Sequence, residues 1–143
     1  EVPRTGPDPT DRIGQRSGLV VVLDLDKLKP INDTLGHEAG DAAIKFAAQC
    51  FQALLRTHDH LFRTGGDEFV VVAFNLPLQL AERRFERLLE ALRSYRLEGG
   101  EPYPLSASYG FAEFNEAQPL ALALTLGDYA MYARKRARGA ARE

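Results

Sequence analysis

Four carboxylates stand where they could act together. Asp24 and Asp26 close the apolar run LVVVLDLD, and Asp67 and Glu68 sit side by side between the Gly65-Gly66 pair and a second apolar run, FVVVAF. Carboxylates gathered in one place repel, and burial raises the cost further. A divalent cation removes that penalty. With oxygen ligands and no His or Cys in these stretches, Mg²⁺ or Mn²⁺ suits the set better than Zn²⁺. Mg²⁺ keeps waters and takes one or two carboxylates together with substrate phosphates, so the partner would be a nucleotide triphosphate. Two such ions, about 4 Å apart, could stabilise both the attacking and the leaving oxygen of a phosphoryl transfer. The plainer alternative is a hairpin with a solvated, charged corner. Asp26 reads as a cap for the next turn or as a residue facing water.

For these acids to meet, two strand ends must lie side by side. LVVVLDLD has the continuous β-branched pattern of a central strand buried on both faces. KLKPINDTLGHEAGD reads as a loop with room for a helical turn, punctuated by Pro30, Gly36 and Gly40. Ala43, Ile44, Ala47, Ala48, Phe51, Leu54 and Leu55 then recur at helical spacing, predicting a helix from about Asp41 to about Arg56. LFRTGGDEFVVVAF reads as a hairpin on a two-residue glycine turn. A second amphipathic helix carries Leu80, Phe85, Leu88, Leu89, Leu92 and Tyr95 and is broken by GGEP (99–102). YPLSASYGFAEF sets Leu105, Tyr109 and Phe111 against Ser106, Ser108, Gly110 and Ala112, a strand with one bulky face. A last helix starts near Pro119 and ends in Arg134, Lys135, Arg136 and Arg138. The order β-α-β-β-α-β-α points to an α/β (α+β) sheet with helices packed against it.

The 143 residues suit one domain, read as an irregular lead-in over 1–18 and a folded unit over 19–143. A formal net charge of −2 excludes a strongly basic nucleic-acid binder. Cys50 is the only cysteine, so no internal disulfide or thiolate metal site can form, and its apolar helical setting reads as an inert buried thiol. No apolar run approaches the roughly 18 residues of a membrane helix, and no signal-peptide core is present. The expectation is a cytoplasmic domain without membrane contact of its own, although its parent protein could be membrane-anchored.

The motifs together resemble the GGDEF domains, the diguanylate cyclases. GGDEF itself is residues 65–69. DLDKLKPINDTLGHEAGD (24–41) is similar to the family's D-x-D-x-F-K-x-I-N-D-x-x-G-H-x-x-G-D, with Leu28 in place of Phe. RTHD (56–59) stands where the family carries an inhibitory RxxD, LSASYGFA looks like V-T-x-S-x-G-x-A, and GDYAMYARK looks like A-D-x-A-L/M-Y-x-A-K. The likeness thins at both ends. Only RTG (4–6) echoes the family's N-terminal D-x-L-T-G-L-x-N-R, so the lead-in is expected to be truncated relative to the family. Gly139 stands where an Arg is usual, with Arg138 beside it.

The resemblance implies a palm-like nucleotide-cyclase fold with a central, mostly antiparallel sheet of about five strands flanked by helices. It implies a homodimer in which two domains, each holding GTP and Mg²⁺ (or Mn²⁺), condense two GTP into cyclic di-GMP and two pyrophosphates. By position, Asp24, Asp67 and Glu68 would hold metal along with the Leu25 carbonyl. Asp67, Glu68 and Lys29 would be catalytic. Lys29, Lys135 and the backbone near Lys27 and Leu28 would hold phosphates, and Asn32 and Asp41 would read guanine. An ionised Asp accepts from guanine's ring N–H and exocyclic amine while an Asn amide can donate to its carbonyl, although helix capping by Asp41 and a turn bond from Asn32 explain the pair equally without a ligand. Arg56 and Asp59, with Arg87 on the next helix, would form the product-inhibition site; a surface ion pair and a solvated helix face are the simpler readings. His37 reads as structural. The family is usually driven by an attached sensory or receiver domain. The alternatives are a catalytically impaired module that binds GTP or cyclic di-GMP as a sensor, and a mainly structural dimerisation domain.

Overall fold

Strand β1 (Gly18–Asp26) is buried along its whole length, as its unbroken β-branched run requires. It lies between β3 (Glu68–Phe74) and β4 (Ser106–Phe114), and β2 (His60–Arg63) completes the order β2-β3-β1-β4, with every neighbouring pair antiparallel. The computed structural model describes residues 17–26 and 28–142, with side chains through residue 137. The lead-in with its RTG echo, Lys27 and the Arg138 side chain lie outside the described residues.

Alternation along β1 builds two cores. Leu19, Val21, Leu23 and Leu25 point to one face with Phe69 and Val71, beneath helices α1 (Leu28–Leu35), α2 (His37–Leu54) and α3 (Leu78–Arg93). Val20, Val22, Val70, Val72 and Phe114 point to the other, against Ala123 and Met131 of α4 (Leu120–Arg142). The small face of β4 lets α4 approach closely: a Cβ on Gly110 would stand 2.2 Å from the Gly127 carbonyl oxygen. On its bulky face Tyr109 stacks on Phe85 at 4.5 Å.

Three expectations need correction. The described residues hold four strands rather than about five. Between α3 and β4 the described residues make a single bridge, Arg96 to Pro102, because Pro102 and Pro104 have no N–H to extend a ladder. The stretch read as a loop is helical: α1 starts at Leu28, so Pro30 falls in the first turn where no N–H is needed, and Gly36 at φ 93° separates it from α2, which begins at His37 rather than Asp41. The β2–β3 connection is not a two-residue glycine turn. It spans residues 64–67, and neither Gly65 nor Gly66 adopts the positive φ that such a turn demands.

Candidate active site

Asp24 and Glu68 are direct partners across β1 and β3, so their side chains share the α4 face of the sheet. Adjacent residues in a strand point to opposite faces, so Asp67 could not have joined them from within β3. It does so because it lies in the bend before the strand, where its carbonyl accepts a hydrogen bond from the Leu25 amide at 2.9 Å. Its carboxyl lies near enough to Asp24 to act on it by charge.

Asp24 is 9% exposed. Lys135, from α4, donates to its Oδ2 at 2.8 Å. Burial raises the Asp24 pKa most; the hydrogen bond from Lys135 opposes it, the charge of Asp67 adds to it, and the net shift is upward. For Lys135, burial pulls the pKa down, but the bond to Asp24 and the charges of Asp24, Asp26 and Asp67 outweigh it and the net direction is up. The other oxygen, Asp24 Oδ1, is buried with no hydrogen-bond partner among the described residues. An orphaned carboxylate oxygen is costly to bury, and a hard divalent cation satisfies it. No group of three His, Cys, Asp or Glu among the described residues could hold a metal by itself. One or two carboxylates completed by phosphates and water is how Mg²⁺ is commonly held, and Asp24 with its neighbour Asp67 is such a pair. Glu68 accepts a hydrogen bond from Thr64 Oγ1 at 3.1 Å, which turns it toward the glycine turn.

Nothing in the protein's own packing explains the two glycines of that turn. A Cβ on Gly66 would meet nothing within 4 Å, and one on Gly65 only Glu68 Cβ at 3.7 Å. They leave bare backbone beside the acids, while Arg63 steadies the turn by donating from Nη2 to the Gly66 carbonyl at 2.6 Å.

Asp26 does not face water. It is 9% exposed and accepts from Ser106 Oγ and Ser108 Oγ, each at 3.0 Å. Reading β1 and β4 together would have signalled this, since both carry polar residues two apart in otherwise apolar strands.

The remaining substrate-side residues gather around α1 and α2. Leu28 is buried, anchoring the start of α1, where helix amides lack intrahelical partners. Lys29 is exposed and pairs with Asp33 at 3.0 Å. Asn32 is half-buried against α2, its Oδ1 filling the space a Cβ on Gly40 would need, 1.8 Å away. Asp41 is exposed on the next residue of α2, and His37 is exposed at the start of that helix.

Arg56 and Asp59 form a fork: Arg56 Nη2 donates to Asp59 Oδ1 at 2.9 Å and to the Phe74 carbonyl at 2.6 Å. The Asp59 side chain is only 3% exposed, so this is not the solvated surface pair that spacing alone allows. Burial pushes the Asp59 carboxyl up, but hydrogen bonds from the Arg56 side chain and backbone, with the charges of Arg56 and Arg84, hold it below the usual carboxylate range. Arg84, which the sequence did not single out, also donates to the Leu54 carbonyl at 3.3 Å. Arg87 is exposed and lines an open cleft along α3 with Arg83, Glu86, Glu90 and Arg93. No helix among the described residues is long and apolar enough to cross a membrane.

An antiparallel sheet flanked by helices makes this a mixed α+β domain, with two acids and a lysine gathered where β1, β3 and α4 meet. The family model "Diguanylate cyclase, GGDEF domain" matches residues 10–141, and the chain belongs to that family. It is 37% identical over 119 residues to the diguanylate cyclase DosC of Escherichia coli K12, covering 82% of this chain and 26% of that protein. The chain thus spans about a quarter of that curated relative. Among solved structures it is similar to the GGDEF domain of YfiN (TpbB) from Pseudomonas aeruginosa, with a TM-score of 0.78 and 34% identity over 85% of this chain and 77% of that one. It is also similar to the GGDEF domain of DgcB from Caulobacter crescentus in complex with c-di-GMP, with a TM-score of 0.79 and 27% identity over 85% of this chain and 74% of that one.

Proposed function

We propose that this domain is a diguanylate cyclase that condenses two GTP into cyclic di-GMP and two pyrophosphates as a transient homodimer. The observation that carries the reading is the orphaned, buried Asp24 Oδ1 beside Asp67 and next to a turn of bare glycines. Asp24 and Asp67, with the Leu25 carbonyl, would hold Mg²⁺ or Mn²⁺. When bound, that ion supplies charge stabilisation for the transferring phosphoryl group. Glu68 faces the same side of the sheet as Asp24 and would accept the 3′-hydroxyl proton rather than complete a three-carboxylate metal site. The amides at the start of α1 and the flexible Lys29 and Lys135 receive the phosphates. Asn32 and Asp41 read the guanine edge. Each domain offers one such half-site, and a two-fold symmetric product calls for a two-fold symmetric pair. Cyclic di-GMP would inhibit at Arg56, Asp59 and Arg87, and an attached sensory or receiver domain in the parent protein would set the pairing.

Incubation with GTP and Mg²⁺ at high protein concentration tests this, with cyclic di-GMP as the expected product. No turnover, with cyclic di-GMP still bound, would replace the enzyme by a sensor module. In the same assay Arg87→Ala, an exposed change, should weaken product inhibition; unchanged inhibition removes Arg87 from that site.

Gly40 offers a test of the guanine assignment. Gly→Ala within a helix ordinarily stabilises by about 1 kcal/mol. Here the new methyl would displace the Asn32 amide. The expected result for Gly40→Ala is a folded domain whose affinity for a fluorescent GTP analogue falls about tenfold, the loss of roughly one hydrogen-bonded contact. Unchanged affinity would remove Asn32 from the base site.

A further inference from the structure

The bond between Lys135 and Asp24 joins a side chain assigned to phosphate with one assigned to metal. We propose that Lys135 is a displaceable counter-ion: without nucleotide its ammonium holds the cation position on Asp24, and nucleotide phosphates draw it off so that a divalent ion can enter. This rests on the metal-site reading above.

The geometry supports an exchange rather than a fixed structural pair. Asp24 is the inner partner, its side chain 13% exposed, whereas Lys135 is 40% exposed and comes from the solvent side. The lysine stem projects from α4 one turn beyond Met131, which is fully buried. The helix therefore stays seated while the side chain swings, and a four-carbon stem gives the ammonium wide reach. Charge balance points the same way. Lys135 and a divalent ion would compete for the same carboxylate: an ion added beside the ammonium would set two cations against Asp24 at close range in a partly desolvated site, and they would repel. Phosphate oxygens reverse this by offering Lys135 a better partner than a carboxylate already shared with metal. Ion and nucleotide would then bind with positive coupling, typically on the order of 5- to 150-fold.

The test is Mn²⁺ binding without nucleotide, followed by the electron paramagnetic resonance of free Mn²⁺. Lys135→Gln keeps an amide that can donate to Asp24 but removes the charge, so the fold is retained, as a thermal melt will check. Its Mn²⁺ affinity should rise about tenfold over wild type. Arg136→Gln removes the same charge one residue further along an exposed position and should stay within about twofold, which separates local exchange from a general field effect. Lys135→Arg should remain as weak as wild type. Equal or weaker Mn²⁺ binding by Lys135→Gln overturns the exchange while leaving the metal site standing. If Lys135→Gln takes up no Mn²⁺ even with a non-hydrolysable GTP analogue present, the metal reading itself fails and the exchange falls with it.

Discussion

Asp67→Ala should lower cyclic di-GMP formation by about a thousandfold or more while leaving the domain at least as stable as wild type. The two halves of this expectation have separate causes. Removing a group that helps hold charge at a phosphoryl-transfer centre costs several kcal/mol of transition-state stabilisation. Yet Asp67 contributes to the fold through its backbone carbonyl, which bonds the Leu25 amide and is kept in alanine. Its carboxyl raises the pKa of Asp24 by repulsion, so its removal relieves the buried acid. An active site that is costly to the fold shows this signature, activity lost with stability held or gained. Initial rates and a urea titration measured on the same preparation decide it. Substantial residual turnover would remove Asp67 from the metal site. A fall in the unfolding midpoint would assign the lost activity to damaged structure.

Gly110→Ala should be a severely damaging change for a single methyl. The new Cβ would lie 2.2 Å from the Gly127 carbonyl oxygen, 2.5 Å from the Met131 amide nitrogen and 2.8 Å from Ala130 Cβ. The first two are backbone atoms of α4 and cannot rotate away, so the helix must lift from β4. Overpacking of this kind costs about 3 kcal/mol or more. Lifting α4 also carries Lys135 away from the phosphates it is proposed to receive, so any folded fraction should lose activity as well. Gly127→Ala is the control. Its Cβ would meet Val22 Cγ2 at 3.0 Å and only ordinary contacts otherwise, and helix propensity gains about 1 kcal/mol in return. Chemical denaturation should therefore separate two alanines on the same contact by at least about 2 kcal/mol. Similar midpoints would show that α4 is free to move on the sheet.

The two glycines on that contact show how far the sequence reaches. The alternation of Ser106, Ser108, Gly110 and Ala112 against Tyr109 and Phe111 identified a strand with a small face, since alternation is local and needs no partner. What would use that face was not legible: Gly127 lies 17 positions further on, in a helix whose own periodicity is satisfied many ways. The same division runs through the site. Motif spacing alone placed Asp24, Asp67 and Glu68 in the chain and identified the family. It could not show that Asp67 reaches Asp24, because strand alternation sends neighbours to opposite faces; only the bend before Glu68 reconciles them. α1 was missed because Pro30 reads as a breaker unless the helix start is known to lie two residues earlier.

Local chemistry in the sequence determined the elements, the residue types of the site and the class of reaction they suit. The tertiary structure alone decided which charges face each other. Lys135 meets Asp24 across 111 residues and Ser108 meets Asp26 across 82, contacts set by sheet register and by the depth at which α4 seats on β4. Those depend on packing between elements distant in the chain, for which no local pattern in the sequence carries the information.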